Sequence, residues 1–132
     1  MDIIITIPGN ILWEDYLKEI HNVQDGDEMM LFRVPVLPKK ANPGDRCYLC
    51  YHGSIVGFMN ITWMGHLDGF ECTTTGACWD VGNYIGRNGS FYQPEDNIPY
   101  KGFQGFRYAP EEWRNMTFRE QRIQINNTLI YA

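Results

Sequence analysis

Long apolar runs and an excess of basic charge are both missing from this sequence of 132 residues. No apolar run approaches the ~18 residues needed to cross a bilayer, and the first residues lack the pattern of a secretion signal. Acidic residues number 16 and basic residues 11, so the net charge is −5. Such a chain is a poor non-specific binder of polyanions. We therefore expect a cytoplasmic protein that does not associate with membranes.

The compact motifs of common enzymes are also missing. The chain has no Gly-x-Ser-x-Gly elbow, no His-Glu-x-x-His pair and no phosphate-binding loop. Its three histidines are scattered along the sequence, and none has a neighbour that suggests catalysis. The sequence therefore assigns no catalytic residue and predicts no cofactor.

Cysteine is scarce, with four residues in the chain. Cys47 and Cys50 form a Cys-x-x-Cys motif that Cys72 and Cys78 could complete as a zinc site. If the motif lies in a strand, positions three apart point to opposite faces of the sheet, whereas zinc knuckles place it in a turn. We therefore predict four reduced, metal-free cysteines.

The residues that are present favour one β-rich domain over residues 1–132. Apolar residues make up 44% of the chain, aromatic residues 14%, and there are 13 glycines. Charge is uneven, because residues 1–30 contain seven acidic side chains and one basic, whereas residues 101–132 contain three and five. The acidic N-terminal part would suit a protein partner, and the second half leaves room for a local basic patch.

The strongest structural signal runs over residues 43–65 and predicts a β-hairpin. Two runs rich in aromatic and β-branched residues are separated by the short connection His52-Gly53-Ser54. Pro43-Gly44-Asp45 supplies a turn, so the first strand should begin near Arg46. Gly57 interrupts the second strand, where it marks a bulge or the close approach of another backbone.

The N-terminal part predicts a strand, a helix and a second strand. Residues 3–7 are β-branched and should form a buried, central strand. A helix is expected over residues 11–21 with Asn10 as N-cap. Residues 29–36 should form a strand whose end Pro35 and Pro38 confine to an edge or a bend. Four large residues of the helix share one face that should lie on the sheet: Trp13, Tyr16, Leu17 and Ile20.

The second half predicts a meander of short strands. We expect a strand over residues 70–75, and two strands over 83–87 and 90–93 around a hairpin turn at Asn88-Gly89. A short helix over 111–115 and a closing strand over 122–131 follow. The predicted fold class is α+β, a small and mostly antiparallel β pseudo-barrel with one or two packed helices.

This order of elements, with a Gly-Asp turn before the hairpin, resembles the PUA-like superfamily, which includes the ASCH and EVE domains. The matching residues are Gly44, Asp45, Tyr48, Tyr51, Gly53, Ile55, Val56 and Gly57. The resemblance covers about a third of the chain. Residues 102–108 also resemble a stretch found in small bacterial and phage-type proteins.

The resemblance implies a cleft that binds nucleic acid, often a modified or unpaired base held between aromatic side chains. A few members with an ASCH domain are instead hydrolases, but their catalytic Lys, Thr and Glu have no counterparts here. Residues 30–35 keep an arginine, yet they lack the lysine and the glutamate that tend to precede the Gly-Asp turn in ASCH proteins.

Aromatic, polar and cationic residues of the second half could together form such a cleft. A base-binding site needs a flat ring for stacking, an amide or hydroxyl to read base edges, and a cation for phosphate. The predicted site residues are Trp63, Thr73, Thr74, Trp79, Arg87, Lys101, Gln104, Phe106 and Arg107. The alternative is that the rings belong to the core, as large rings in small barrels ordinarily do.

Three classes of function therefore stay open at the level of sequence. The first is a PUA-like module that binds RNA, DNA or a modified nucleoside. The second is a small ASCH-like hydrolase that acts on a nucleoside or RNA, and the third is a protein-interaction domain.

Overall fold

The computed structural model describes residues 1–71 and 78–124. One α-helix, one 3₁₀ helix and nine strands occur in these two ranges. They are β1 (Ile3–Thr6), α1 (Trp13–Val23), β2 (Met30–Val34), β3 (Arg46–Tyr51), β4 (Ser54–Leu67), β5 (Phe70–Glu71), β6 (Cys78–Trp79), β7 (Gly82–Pro94), β8 (Phe106–Tyr108), the 3₁₀ helix (Glu111–Asn115) and β9 (Phe118–Gln121).

Seven of these strands form one curled, mixed sheet in the order β2-β7-β4-β3-β1-β8. The strand β9 pairs with the C-terminal half of β7, on the same edge that carries β2 along its N-terminal half. Strands β1 and β3 are parallel and the other pairs are antiparallel, while β5 and β6 form a separate small ribbon. The prediction of a small, mostly antiparallel α+β fold with a curled sheet is confirmed.

Both faces of the sheet are buried. The inner face packs under α1, and the outer face is covered by the segment that contains the 3₁₀ helix. Strand β3 serves both cores, because Cys47 and Leu49 point inward while Tyr48 and Cys50 point outward. The two cysteines of the Cys-x-x-Cys motif therefore lie on opposite faces, as predicted, and both are buried free thiols.

Helix α1 buries the predicted face but begins later than predicted. Tyr16 and Ile20 are buried in the inner core, and Trp13 and Leu17 pack partly buried against it. The predicted N-cap is wrong: Leu12 occupies that position and its side chain makes no capping hydrogen bond. Residues 8–11 form a turn instead, in which the Ile11 N–H donates to the Pro8 carbonyl oxygen at 3.1 Å.

The predicted hairpin is confirmed as β3 and β4. His52 and Gly53 connect the strands with φ angles of 48° and 82°, which is the twist that a two-residue hairpin turn requires. A Cβ at Gly57 would collide with the Phe91 ring and the Tyr92 carbonyl oxygen. Gly57 therefore marks a close approach of β7, and a register irregularity between Leu49 and Cys50 lies opposite it.

Three predictions for the second half need correction or lie outside the described residues. Strand β7 runs unbroken through Asn88-Gly89, so the predicted hairpin there is wrong. The reason is that β4, with 14 residues, pairs with β7 on both sides of Asn88-Gly89. The residues of β7 that have no partner on β4 form a bulge instead of a turn. The closing strand is β9, before residue 122, and residues 122–124 are not strand. The rest of the predicted strand over 70–75 and the rest of the predicted strand over 122–131 lie outside the described residues.

The short helix over residues 111–115 is confirmed as a 3₁₀ helix that follows Pro110. Its Trp113 is buried against Tyr48, with ring centres 5.1 Å apart. The helix therefore holds the outer core closed over the middle of the sheet. Within residues 1–71 and 78–124, no helix has the length and apolar character needed to cross a membrane.

Candidate functional site

A cleft of about 360 Å³ opens on the outer face of the sheet, where β3, β4 and β7 meet the start of β9. Its walls combine aromatic rings, one guanidinium, one amide and two hydroxyls. They are formed by Arg46, Phe58, Asn60, Tyr92, Met116, Thr117 and Phe118.

Arg46 lies flat on the aromatic wall of this cleft. Its guanidinium carbon is 4.3 Å from the centre of the Phe58 ring and 5.9 Å from that of Phe118. The Phe58 ring also stacks on Tyr92, at 4.7 Å between centres and 10° between planes. The Phe58 ring thus contacts both a planar cation and a partly exposed phenol ring, and each of these two groups is a surface on which a base can stack.

Among the side chains that the structure describes, no carboxylate lies within 4.0 Å of the Arg46 guanidinium. Two acids lie close by, but both have other partners: Arg114 makes two bonds of 2.7 Å to Asp2, and Asp45 pairs with the N-terminal ammonium at 2.9 Å and with Arg114 at 3.8 Å. The hydrogen bond to Asp2 raises the pKa of Arg114 further above its ordinary value. The charge of Arg46 is therefore left for the cleft.

Tyr48 is the hydrogen-bond partner of the Arg46 guanidinium. Its hydroxyl accepts a hydrogen bond of 3.2 Å from the Arg46 Nη1. Burial raises the pKa of Tyr48, against the opposing effect of Arg46, so the phenol is neutral at physiological pH. The hydrogen bond fixes the guanidinium without cancelling its charge.

Two polar side chains on the rim are unpaired. Asn60 and Thr117 are exposed, and neither side chain hydrogen-bonds to another of the described residues. A carboxamide offers both a donor and an acceptor, and a hydroxyl does the same. These groups can read the edge of a planar ligand that stacks on the cleft wall.

Four of the predicted residues lie in or just before β8. Lys101 and Gln104 are exposed in the segment that leads into this strand, and Arg107 is exposed within it. Phe106 packs partly buried against the inner core, so it does not face the cleft. The Arg107 guanidinium lies 4.6 Å from the centre of the Phe103 ring.

Arg107 stands in one cross-strand row with the cleft. The row crosses five strands through Arg107, Ile4, Tyr48, Phe58 and Tyr92. Four strand spacings separate its ends, or about 19 Å. Trp113 covers the middle, so Arg107 and the cleft lie on opposite sides of the 3₁₀ helix.

The other predicted residues do not join this surface. Arg87 points to the inner face, is 2% exposed, and donates a hydrogen bond of 2.8 Å to the Tyr16 hydroxyl. Thr73 and Thr74 lie outside the described residues. Trp79 belongs to β6, but its side chain is not described.

Arg46, Asn60 and Tyr92 were not predicted as site residues. The signal that could have identified Arg46 and Asn60 is the alternation within the hairpin, because Arg46 pairs with Asn60 and Tyr48 with Phe58 on one face. Two polar residues directly opposite each other beside two aromatic rings indicate a face that is only partly covered.

A second cavity, of about 400 Å³, lies at the other end of β4 and differs in character. It includes Trp13 and Gln93, and its one cation, Arg119, forms an ion pair with Glu95 on the same wall. It therefore offers no free positive charge. Within the described part of the chain, no group of three His, Cys, Asp or Glu side chains is arranged to hold a metal ion.

No family model matches this chain, and no curated protein or solved structure is significantly similar to it. The resemblance to the PUA-like superfamily stays a prediction.

Proposed function

We propose that this protein binds single-stranded nucleic acid and holds one unpaired or modified base in the cleft at Arg46. The base stacks on the Arg46 guanidinium, while Asn60 and Thr117 contact its edge. Nearby phosphates interact with the charge of Arg46. The observation that carries this proposal is an arginine stacked on an aromatic wall with no carboxylate partner in the described residues.

The chemistry of the cleft favours a nucleic acid over the alternatives. Stacking platforms combined with a cation are the common means of binding single strands. Arginine also pairs with phosphate through two parallel hydrogen bonds. With a net charge of −5, the chain should bind only where such a local site overcomes its overall repulsion.

The binding test uses labelled single strands of about eight nucleotides, as RNA and as DNA, and the matching duplex. Affinity is measured by fluorescence anisotropy at two salt concentrations. We expect single strands to bind more tightly than the duplex, with an affinity that falls as salt rises. Equal affinity for the duplex, or no binding near physiological salt, contradicts the proposal and favours the protein-interaction alternative.

Arg46→Gln should weaken binding of the single strand by roughly 10-fold and flatten its salt dependence by about one unit of slope. Arg46→Lys keeps the positive charge but removes the planar group on which a base stacks. This variant should therefore bind more weakly than the parent, with an unchanged dependence of affinity on salt. Lys18→Gln is the matched control, because it removes one exposed positive charge on α1. If Arg46→Gln behaves like Lys18→Gln, the cleft is not the site.

A further inference from the structure

Trp63 is turned out of the core by an irregularity in β4. Strict alternation would place it inward with Met59 and Ile61, but register shifts occur on both sides of Ile61. Trp63 is therefore paired with Gly86 on the outer face, while Met64 takes the inward position opposite Ile85. Bulges are known to re-aim side chains in this way, often beside functional sites.

The ring of Trp63 lies over Gly65, which has no side chain. A Cβ at Gly65 would stand 2.5 Å from the Trp63 Cζ2, so only glycine leaves room for the indole there. Trp63 is partly exposed, and among the described residues no aromatic ring stacks on it. A flat indole held on glycine and open to solvent is a stacking platform.

Trp63 lies on the same face of β4 as the cleft. Phe58, Asn60 and Trp63 all point outward, so the platform continues the cleft wall along the strand. Trp63 lies three positions after Asn60 along the strand, which corresponds to about 10 Å. Successive stacked bases of one strand are about 3.4 Å apart, so one nucleotide cannot occupy both places.

We propose that the outer face of β4 has a second base-stacking subsite at Trp63, and that the ligand is a single strand of several nucleotides laid along β4. This inference rests on the proposed function. It narrows the ligand class to an oligonucleotide and excludes a free nucleoside or mononucleotide as the full ligand.

The test compares a mononucleotide with single strands of about four and eight nucleotides on the parent, Trp63→Leu and Trp63→Phe. We expect Trp63→Leu to weaken binding of the eight-nucleotide strand by about 5- to 100-fold and to leave mononucleotide binding unchanged. Trp63→Phe keeps a ring and should retain most of the affinity. Arg46→Gln should weaken binding of every ligand.

A measurement on the unaltered protein stands beside the variants in case Trp63→Leu does not fold. The indole N–H signal of Trp63 in a ¹⁵N correlation spectrum, assigned with Trp63→Phe, should shift when the eight-nucleotide strand is added and stay in place with the mononucleotide. An unmoved signal, or equal affinity for both ligands, overturns the second subsite while the Arg46 cleft stands. Absence of binding to any strand overturns both proposals.

Discussion

Arg87 and Cys47 share the inner core under α1, where neither can meet solvent. Burial raises the pKa of Cys47 from 9.0 to about 11, although the charge of Arg87 opposes this shift. Burial also raises the pKa of Tyr16, the partner of Arg87. The guanidinium keeps its charge, and its Nε is buried without a hydrogen-bond partner. The thiol and the phenol beside it are therefore neutral at physiological pH.

The free energy of unfolding should fall at high pH because of Cys47. A thiol whose folded pKa lies above its unfolded pKa stabilises the fold fully below pH 9.0, and this contribution is lost as pH rises toward about 11. We expect a loss of about 2 kcal/mol between roughly pH 8.5 and 10.5, measured by denaturant unfolding. Cys47→Ala should lose less over this interval, and parallel curves for the two proteins would contradict the assignment.

The residues of the cleft could be predicted only in part. Alternation in the hairpin places Arg46 beside aromatic residues, but the freedom of its charge depends on Arg114, which takes Asp2 from 112 positions away. No local pattern carries that information. Trp63 was predicted as a site residue only because it is aromatic. Its side chain points outward because of a bulge in β4, and no sequence pattern predicts that bulge.

At the scale of elements, helix α1 is held by its packing more than by its ends. Its N-terminus lacks a side-chain cap, while Tyr16, Ile20 and Val23 are buried. Isolated helices of this length are marginal in water. The helix therefore depends on the inner core for its stability.

Ile20→Ala should lower the free energy of unfolding by about 2 to 5 kcal/mol, because the side chain is fully buried and its removal leaves a cavity. Leu17→Ala should lose less, since Leu17 is only partly buried. Lys18→Ala on the exposed face is the control and should change stability by less than about 0.5 kcal/mol. Equal effects of Ile20→Ala and Lys18→Ala on the free energy of unfolding in urea would contradict the packing of α1 on the inner core.

Elements with a local signal were predictable, and those decided by distant partners were not. The β3–β4 hairpin follows from His52-Gly53 and its flanking runs, and β1 from its β-branched residues. Asn88-Gly89 has equally good turn chemistry, yet β7 continues through it, because β4 pairs on both sides of it and β2 and β9 bind its other edge. Tertiary pairing overrode the local preference there.

At the scale of the whole molecule, Asp2 and Arg114 connect the N-terminal strand to the segment that covers the outer face. The Asp2 side chain is 5% exposed, and it also accepts a hydrogen bond of 2.8 Å from the Arg46 backbone N–H. Loss of Arg114 would leave a buried carboxylate without its charged partner. Such a loss is more costly than that of an exposed pair.

Arg114→Gln should therefore lower the free energy of unfolding by about 2 kcal/mol. The control is Arg122→Gln, which breaks an ion pair with Asp25 in which both side chains are more than half exposed. That change should cost less than about 0.5 kcal/mol. Denaturant unfolding of both variants, with Asp2→Asn to complete a double-mutant cycle, measures the coupling. A coupling near zero would show that the pair does not hold the cover in place.

The position of β1 inside the sheet constrains how the protein can form during synthesis. Its neighbours are β3, which begins at Arg46, and β8, which begins at Phe106. At about 5 to 20 residues per second, the ribosome needs roughly 5 to 20 s to deliver β8 after β1 has emerged. In that interval Ile3, Ile4 and Ile5 can pair only with β3, so one edge of an apolar strand stays open, and such edges promote aggregation.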